Sequence, residues 1–277
     1  MENKKITKLI IVITILIIFV TSFLVWQTND LVVTTYDYSN SKVPLEFNDY
    51  KILQISDLHN KRFGKNQSRL IKHTLDINPD IIVITGDLVD DANESFDNAL
   101  DYIKGVIDYL PIFYVAGNHE KTANLYETLK VDLEMLGVIV LEDDIYLIEK
   151  DQAFINLIGV LDPEFYDSYY NVLINTVNSL YESEMFNILL SHRPEILDLY
   201  ASTNVELVFT GHAHGGQVRL PFIGALIAPN QGFFPKYTSG IHTINNTTMV
   251  ISRGLGESII PFRAFNRPEI VVVNLHN

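Results

Sequence analysis

No cysteine occurs among the 277 residues. Disulfides, thiolate metal ligands and a cysteine nucleophile are thereby excluded. The redox compartment stays open, because a cysteine-free chain is tolerated in oxidising and reducing surroundings alike. Positive charge is also scarce: 20 Lys and Arg stand against 34 Asp and Glu, for a net charge of −14. Nucleic acid is held largely by Lys and Arg neutralising phosphates, so this balance argues against a nucleic-acid partner. Residues 50–277 contain no internal repeat, no low-complexity tract and no Pro/Gly/Ser linker. With 47% hydrophobic and 19% charged residues, the chain reads as globular, and the unbroken pattern reads as one domain.

One apolar run stands apart. Residues 9–26, LIIVITILIIFVTSFLVW, have only Thr14, Thr21 and Ser22 as polar members and are long enough for a membrane helix. Lys4, Lys5 and Lys8 precede the run and Asp30 and Asp37 follow it, which places the N-terminus in the cytoplasm and the rest of the chain outside. The following WQTND carries no small-x-small cleavage pattern, so the run reads as an uncleaved signal anchor. The expected division is a cytoplasmic flank and single transmembrane anchor over residues 1–29 and one domain over 30–277, joined by a tether of a few residues. LVVTTYDY (31–38) is expected as an edge strand.

From residue 51 the pattern alternates between short apolar runs and segments of helical spacing. Strands are expected at KILQIS (51–56), IIVIT (81–85), IFYVA (112–116) and VIVL (138–141), with helices at 66–77, capped by Asn66, at 94–109 and at 123–136. This alternation implies an α/β core with parallel strands. The second half is richer in strands. IYLIEK and AFINLIGV flank a turn at Asp151-Gln152, a helix is expected at 167–182, and FNILLS (186–191) and VELVFT (205–210) follow. IHTI and TTMVIS flank Asn245-Asn246 as a hairpin, and EIVVVNL (269–275) is the last strand. Asn246-Thr247-Thr248 matches a glycosylation acceptor, but the hairpin's need for positive φ already explains the asparagine.

Five of these strands end in chemistry-bearing residues. KILQIS runs into Asp57-Leu58-His59, IIVIT into Gly86-Asp87, IFYVA into Gly117-Asn118-His119-Glu120, FNILLS into His192, and VELVFT into Gly211-His212-Ala213-His214. In open α/β sheets ligands bind outside the carboxyl ends of strands, so these side chains should converge on one crevice. Each fragment alone is weak evidence, since a strand-end aspartate often caps a helix and an asparagine often makes a turn. All five in this order are specific. Aspartates, an asparagine and imidazoles suit Mn, Fe, Zn or Mg. Seven such ligands exceed the three or four that one catalytic zinc uses, so two metals sharing a bridging carboxylate is the natural count. Two ions roughly 3.5–4 Å apart can clamp a phosphoryl group and activate a water, which also lets an acidic protein meet an anionic substrate.

Asp57-x-His59, Gly86-Asp87, Gly117-Asn118-His119-Glu120, His192 and Gly211-His212-x-His214 together resemble the signature of the calcineurin-like metallophosphoesterase superfamily. GGQVRLP (215–221), APNQGFFPKYTSG (228–240) and SRGLGESIIPFRAFNRPEI (252–270) extend the resemblance to its membrane-anchored bacterial branch, which includes UDP-diacylglucosamine pyrophosphatases and related phosphodiesterases. The resemblance covers roughly residues 30–277. It implies a four-layer α/β fold, two mixed β-sheets packed face to face between helices. It further implies that Asp57, His59 and His214 hold one divalent metal, that Asn118, His192 and His212 hold a second, and that Asp87 bridges them. His119 is implied to act on the phosphoryl group, as general acid or as a hydrogen-bond donor. Many members carry Asp where this chain has Glu120, and a carboxylate there can orient the imidazole.

The remaining histidines, His73, His242 and His276, are expected to be structural or exposed. Arg253 and Arg263 match phosphate chemistry but are expected more often to pair with surface carboxylates. PFIGALIAPNQGFF (221–234) is either a lip for acyl chains or the membrane, or a loop packed on its own domain. The expected function is hydrolysis of phosphodiester or pyrophosphate bonds by a metal-activated hydroxide, on a phosphorylated small-molecule or lipid-linked substrate such as a UDP-linked diacylglucosamine. Two alternatives stay open: a phosphomonoesterase or phosphoprotein phosphatase with the same metal pair, and a non-enzymatic envelope-binding protein on the same scaffold.

Overall fold

Ile81, Ile82, Val83 and Ile84 are all buried, but alternately on two sides: Ile81 and Val83 join one apolar cluster and Ile82 and Ile84 another. A strand covered on both faces has no polar side, so such runs read as continuously apolar. That double burial organises the protein.

A computed structural model describes residues 2–90, 95–166, 169–216, 219–257 and 260–277. Helix α1 (Glu2–Asn29) leads into β1 (Val32–Ser39), β2 (Tyr50–Ile55), α2 (Ser68–Ile77), β3 (Ile81–Thr85), α3 (Asp97–Val106), β4 (Ile112–Val115), α4 (Asn118–Thr122), α5 (Tyr126–Met135) and β5 (Ile139–Val140). The second half holds β6 (Asp144–Lys150), β7 (Ala153–Gly159), α6 (Tyr169–Leu180), β8 (Phe186–Leu190), α7 (Leu197–Ala201) and β9 (Leu207–Thr210). Four two-residue strands follow, β10 (Arg219–Leu220), β11 (Gly224–Ala225), β12 (Ile227–Ala228) and β13 (Gly232–Phe233), then β14 (Gly240–Ile244), β15 (Thr247–Ile251) and β16 (Glu269–His276).

Two six-stranded sheets form, in the orders β1-β16-β2-β3-β4-β5 and β14-β15-β9-β8-β7-β6. Their facing sides bury Val83, Phe113, Ile188, Phe209 and Val273 in one cluster. On the outer side of the first sheet, Leu53, Ile82 and Ile84 pack with Leu70, Tyr102 and Leu133 of α2, α3 and α5. On the outer side of the second, Leu189, Val208 and Met249 pack with Val177 and Leu197 of α6 and α7. The result is helix, sheet, sheet, helix.

The expectation of parallel strands holds for β2 to β5 and for β7, β8 and β9. Both sheets are nevertheless mixed: in the first, the last strand returns antiparallel to β2 and β1 lies parallel beside it, Val32 opposite Glu269, and in the second, β6 and β14 pair antiparallel with β7 and β15. The two expected hairpin turns are present, with Asp151 and Gln152 at φ 50° and 70° and Asn245 at φ 52°.

Asn66 is not a helix cap. It sits at φ 49°, ψ 44° in a short turn ahead of α2, and Gln67 organises that turn by accepting from Phe63 N and donating to the carbonyls of Lys61 and Asn98. The helices expected at 94–109 and 123–136 are shorter, and residues 94 and 167, expected to begin helices, lie outside the described residues. Only Ile139–Val140 of VIVL pairs as strand. Helices α4 and α7 and the strands β10 to β13 were not expected, being too short to show a period.

Helix α1 is long and apolar enough to cross a membrane, and its apolar side chains are exposed. Its C-terminal end is fastened to the body of the protein. Arg263 N donates to Thr28 Oγ1 at 2.9 Å, Lys61 Nζ to Thr28 O at 2.6 Å, and Arg267 pairs with Asp30 at 2.5 Å.

Candidate metal centre

The loops leaving β2, β3 and β9 turn sharply at the residues singled out from the sequence. Asp57, His59, Asp87, His212 and His214 all have φ between 46° and 61°. Non-glycine residues seldom adopt this region, at a cost of order 1–3 kcal/mol each. The turn is what allows residues two apart, which would point to opposite faces of a strand, to reach one space. Glycine provides the room: a Cβ on Gly86, at φ 88°, would lie 2.6 Å from Gly117 N and 2.7 Å from His192 Nδ1. A Cβ on Gly211 would lie 1.9 Å from Ser56 Oγ.

The donor atoms form two groups that share Asp87. Asp57, His59, Asp87 and His214 each bring one atom within 4.8 Å of the others, and Asp87, His192 and His212 do the same. His59 Nε2 and His214 Nε2 lie 3.0 Å apart. His214 Nε2 is 3.5 Å from Asp57 Oδ1, and His59 Nε2 is 3.7 Å from Asp87 Oδ2. His192 Nε2 lies 3.1 Å from that same Asp87 oxygen and 3.2 Å from Asn118 Oδ1, Asn118 being the first residue of α4. The seven residues named as metal ligands from the sequence are thus brought together.

The donor set fits divalent cations. Asp57 Oδ2 is buried and has no hydrogen-bond partner among the described residues, a costly state for a carboxylate oxygen that a cation relieves. Burial, with Asp87 adding to it, raises Asp57 to about 6 against the opposing pull of His192. Burial pushes His59 down to about 4 and His212 and His214 well below the usual imidazole range, so their lone pairs are available. Burial also disfavours charge on His192, but the adjacent Asp87 outweighs it and raises that ring to about 10. His192 Nδ1 lies 2.7 Å from the Thr85 carbonyl, so it is the donor there, and Nε2 faces Asp87 and Asn118. Ligating histidines are commonly held in this way.

His119 is half-buried. Its backbone N donates to Asp87 Oδ1 at 2.9 Å, and its ring lies edge-on to His59 with centroids 4.5 Å apart. Glu120 does not serve as its orienting carboxylate. Both Glu120 oxygens accept backbone N–H groups: Oε2 from Gly117 at 2.8 Å and Asp87 at 3.0 Å, Oε1 from Leu88 at 2.7 Å. Fully buried, it ties the loop after β4 to the loop after β3; burial and Asp87 push it up to about 7. The carboxylate near the His119 ring is Asp90, which brings an oxygen within 4.8 Å of ring nitrogens of His119 and His59. Sequence reading missed Asp90, although a second aspartate three residues after Asp87 on one turn was a usable signal.

Arg193 was missed as well. It is buried and forks onto Asp162, Nε to Oδ2 at 2.6 Å and Nη2 to Oδ1 at 2.9 Å, while Nη1 lies 3.2 Å from His212 Nε2. Nη1 can only donate, so in the metal-free chain this contact takes the lone pair of His212 Nε2. Nothing in the sequence marks it apart from its place after His192. Arg193→Lys keeps the charge but not the fork. Loss of the fork onto Asp162, which fixes the chain next to His192, is expected to weaken metal binding about 10-fold. Metal titration of the chelator-stripped chain checks this; unchanged affinity would mean that Arg193 only packs.

The other candidates fall outside the two groups. His242 Nε2 meets the Ser239 carbonyl at 3.1 Å, His276 lies 3.5 Å from Asp37 Oδ1, and His73 is on α2. Arg253 pairs with Glu269 at 2.7 Å, as expected. Arg263 does not pair with a carboxylate; it is buried and donates to the carbonyls of Gly256, Arg253 and Asn266, which shapes the loop before β16.

Comparison with known proteins agrees with this geometry. The family model for calcineurin-like phosphoesterases matches residues 50–216, a span that contains all seven residues and His119. The chain is 27% identical over 247 residues to the uncharacterized metallophosphoesterase YkuE of Bacillus subtilis, covering 87% of this chain and 84% of that one. It is 28% identical over 235 residues to phosphodiesterase YaeI of Escherichia coli, covering 82% of each. A zebrafish (Danio rerio) protein described as a transmembrane protein with metallophosphoesterase domain is 27% identical, over 84% of this chain and 55% of that one. Among solved structures, TT1561 of Thermus thermophilus shares the fold, with a TM-score of 0.51, 17% identity, and coverage of 74% of this chain and 90% of that one.

Proposed function

This chain belongs to the calcineurin-like phosphoesterase family, and from that premise we propose that it is a membrane-anchored, two-metal phosphodiesterase acting on a lipid-linked substrate. The observation that carries the reading is the pair of donor groups sharing Asp87. Asp57, His59 and His214 would hold one cation, Asn118, His192 and His212 the other, with Asp87 common to both. Oxygen and imidazole donors suit Mn, Fe, Zn or Mg. When bound, two such cations neutralise phosphoryl charge and activate water for in-line displacement.

The protein's own groups complete the reaction. Asp87 Oδ1, by accepting from His119 N, fixes where the His119 ring begins. That ring can pass a proton to the departing oxygen and, being half-exposed, recover one from solvent. Asp90 stands where it can set the ring's tautomer.

A cavity of about 360 Å³ is lined by Arg193, Glu164, Glu195, Tyr166 and Asn230. Arg193 links it to His212. Its carboxylates disfavour a second anionic group, which supports a diester over a pyrophosphate such as a UDP-linked lipid. YaeI, named a phosphodiesterase, points the same way. The basic flank of α1 supports a single-pass anchor with residues 30–277 as one extracytoplasmic domain.

The test uses the full chain in detergent with bis-p-nitrophenyl phosphate. His119→Ala is expected to lower kcat by about 10²–10⁴-fold with bound metal unchanged. A wild-type rate in that variant removes His119 from the chemistry. Faster turnover of a phosphomonoester than of the diester would replace the diesterase reading by a phosphatase.

A further inference from the structure

Three segments leave the sheets at the same end. Helix α1 precedes β1, which starts opposite Glu269; residues 252–268 run from the end of β15 to the start of β16; residues 211–239 run from the end of β9 to the start of β14. In register, Val271 of β16 lies opposite Gln54, and Ile251 of β15 lies beside Thr210 and opposite Gly240, so all of these termini lie at the end of the sheets that carries Asp57 and His212. The helix is therefore anchored at the metal-centre end of the protein.

That end also carries a concentration of exposed apolar side chains. Phe222 is fully exposed and Ile223 60% exposed between β10 and β11; Phe233 and Phe234 are 78% and 72% exposed at β13. Phe262 and Phe265 are 40% and 49% exposed, and the Phe265 ring lies 5.2 Å from that of Phe23 on α1. Phe265 thus brings the loop before β16 against the apolar helix. Residues 211–239 contain no acidic residue, and Lys236 is exposed there, whereas Arg253 and Arg267 pair with Glu269 and Asp30 and Arg263 is buried on carbonyls.

We infer that the hairpins β10–β11 and β12–β13 seat Phe222 and Phe233 in the interface of an anionic lipid bilayer, so that the metal centre opens against the headgroups. The inference rests on α1 being a membrane anchor. The apolar side chains gain from leaving water, and exposed Lys236 gains from anionic headgroups. A water-soluble partner of stated chemistry has no comparable support, since Phe23 on the helix already ties the patch to the level of the bilayer.

The absence of cysteine allows a direct measurement. Phe222→Cys, Phe233→Cys, Val20→Cys and Tyr109→Cys are made singly in the full chain, carried with a nitroxide, and reconstituted into phosphatidylglycerol–phosphatidylethanolamine vesicles. Tyr109, 70% exposed, precedes β4 and so lies at the opposite end of the sheets. Collision with oxygen is expected to exceed collision with a water-soluble nickel complex at positions 222 and 233, as at position 20, and the ratio to invert at 109. Nickel-dominated collision at 222 and 233 with position 20 still in lipid overturns this inference alone. Nickel-dominated collision at position 20 overturns the anchor, and the inference with it. Shielding of 222 and 233 from both agents means that a second copy of the chain covers the patch, which also overturns it.

Discussion

Asp87→Asn is expected to empty both metal positions at micromolar metal and to reduce diester hydrolysis about 10³-fold or more, equivalent to roughly 4 kcal/mol of transition-state stabilisation. Asp87 is the residue common to both donor groups: Oδ2 faces His192 Nε2 at 3.1 Å and His59 Nε2 at 3.7 Å, while Oδ1 accepts from His119 N. Asparagine can keep the Oδ1 hydrogen bond, so the loop should hold its shape; what it removes is the negative charge between the two groups. Burial alone would raise this carboxyl, yet it stays well below the ordinary carboxylate range because His192 and His59 surround it. Without that charge the pair of cations loses its common ligand. Metal content by mass spectrometry and turnover of bis-p-nitrophenyl phosphate are read on the same sample. Two bound metals with more than a tenth of the wild-type rate would show that Asp87 is not shared.

The second large effect is on folding. Glu120→Ala leaves three backbone N–H groups, those of Gly117, Asp87 and Leu88, without their acceptor in a fully buried region. Each orphaned buried donor costs about 1–3 kcal/mol. Removing a buried carboxyl that Asp87 already pushes up to about 7 offsets part of this. A net loss of about 3 kcal/mol is expected, from denaturant unfolding of the metal-free chain. Glu120→Gln keeps one carbonyl oxygen and should lose roughly half as much. The loss in Glu120→Gln is the informative result, because an ordinary volume effect would hardly separate Gln from Glu. A loss below 1 kcal/mol in Glu120→Ala would remove Glu120 as the tie between the two loops.

The two results bear on different parts of the molecule, and the contrast shows why the neighbours His119 and Glu120 were not equally readable. An imidazole at a strand end advertises chemistry wherever it occurs. A carboxylate advertises only charge, and whether its oxygens meet an imidazole, a cation or three amide hydrogens depends on which loop comes to lie beside it. The same holds for the arginines. Arg253 met a carboxylate as expected, Arg263 was consumed by carbonyls, and Arg193, which sequence reading passed over, forks onto Asp162 beside His212.

Several features were written in local sequence. Doubly buried strands are continuous apolar runs, and polar residues just past their carboxyl ends gather in one crevice, so the placement of Asp57, Asp87, His192 and His214 followed from short stretches of chain. The left-handed turns at Asp151-Gln152 and Asn245 are likewise local, since positive φ selects its residues. The pairing of residues 32–39 with 269–276 was not local, nor was the two-sheet division. Apolar strands carry no label naming their neighbour, and register is settled only when whole faces are buried together. The partners of Glu120, Arg193 and Asp90 belong to that second class: hydrogen bonds and ion pairs between distant loops exist only after the sheets have brought those loops together, as the 2.6 Å at Asp162 and the 2.7 Å at Leu88 show.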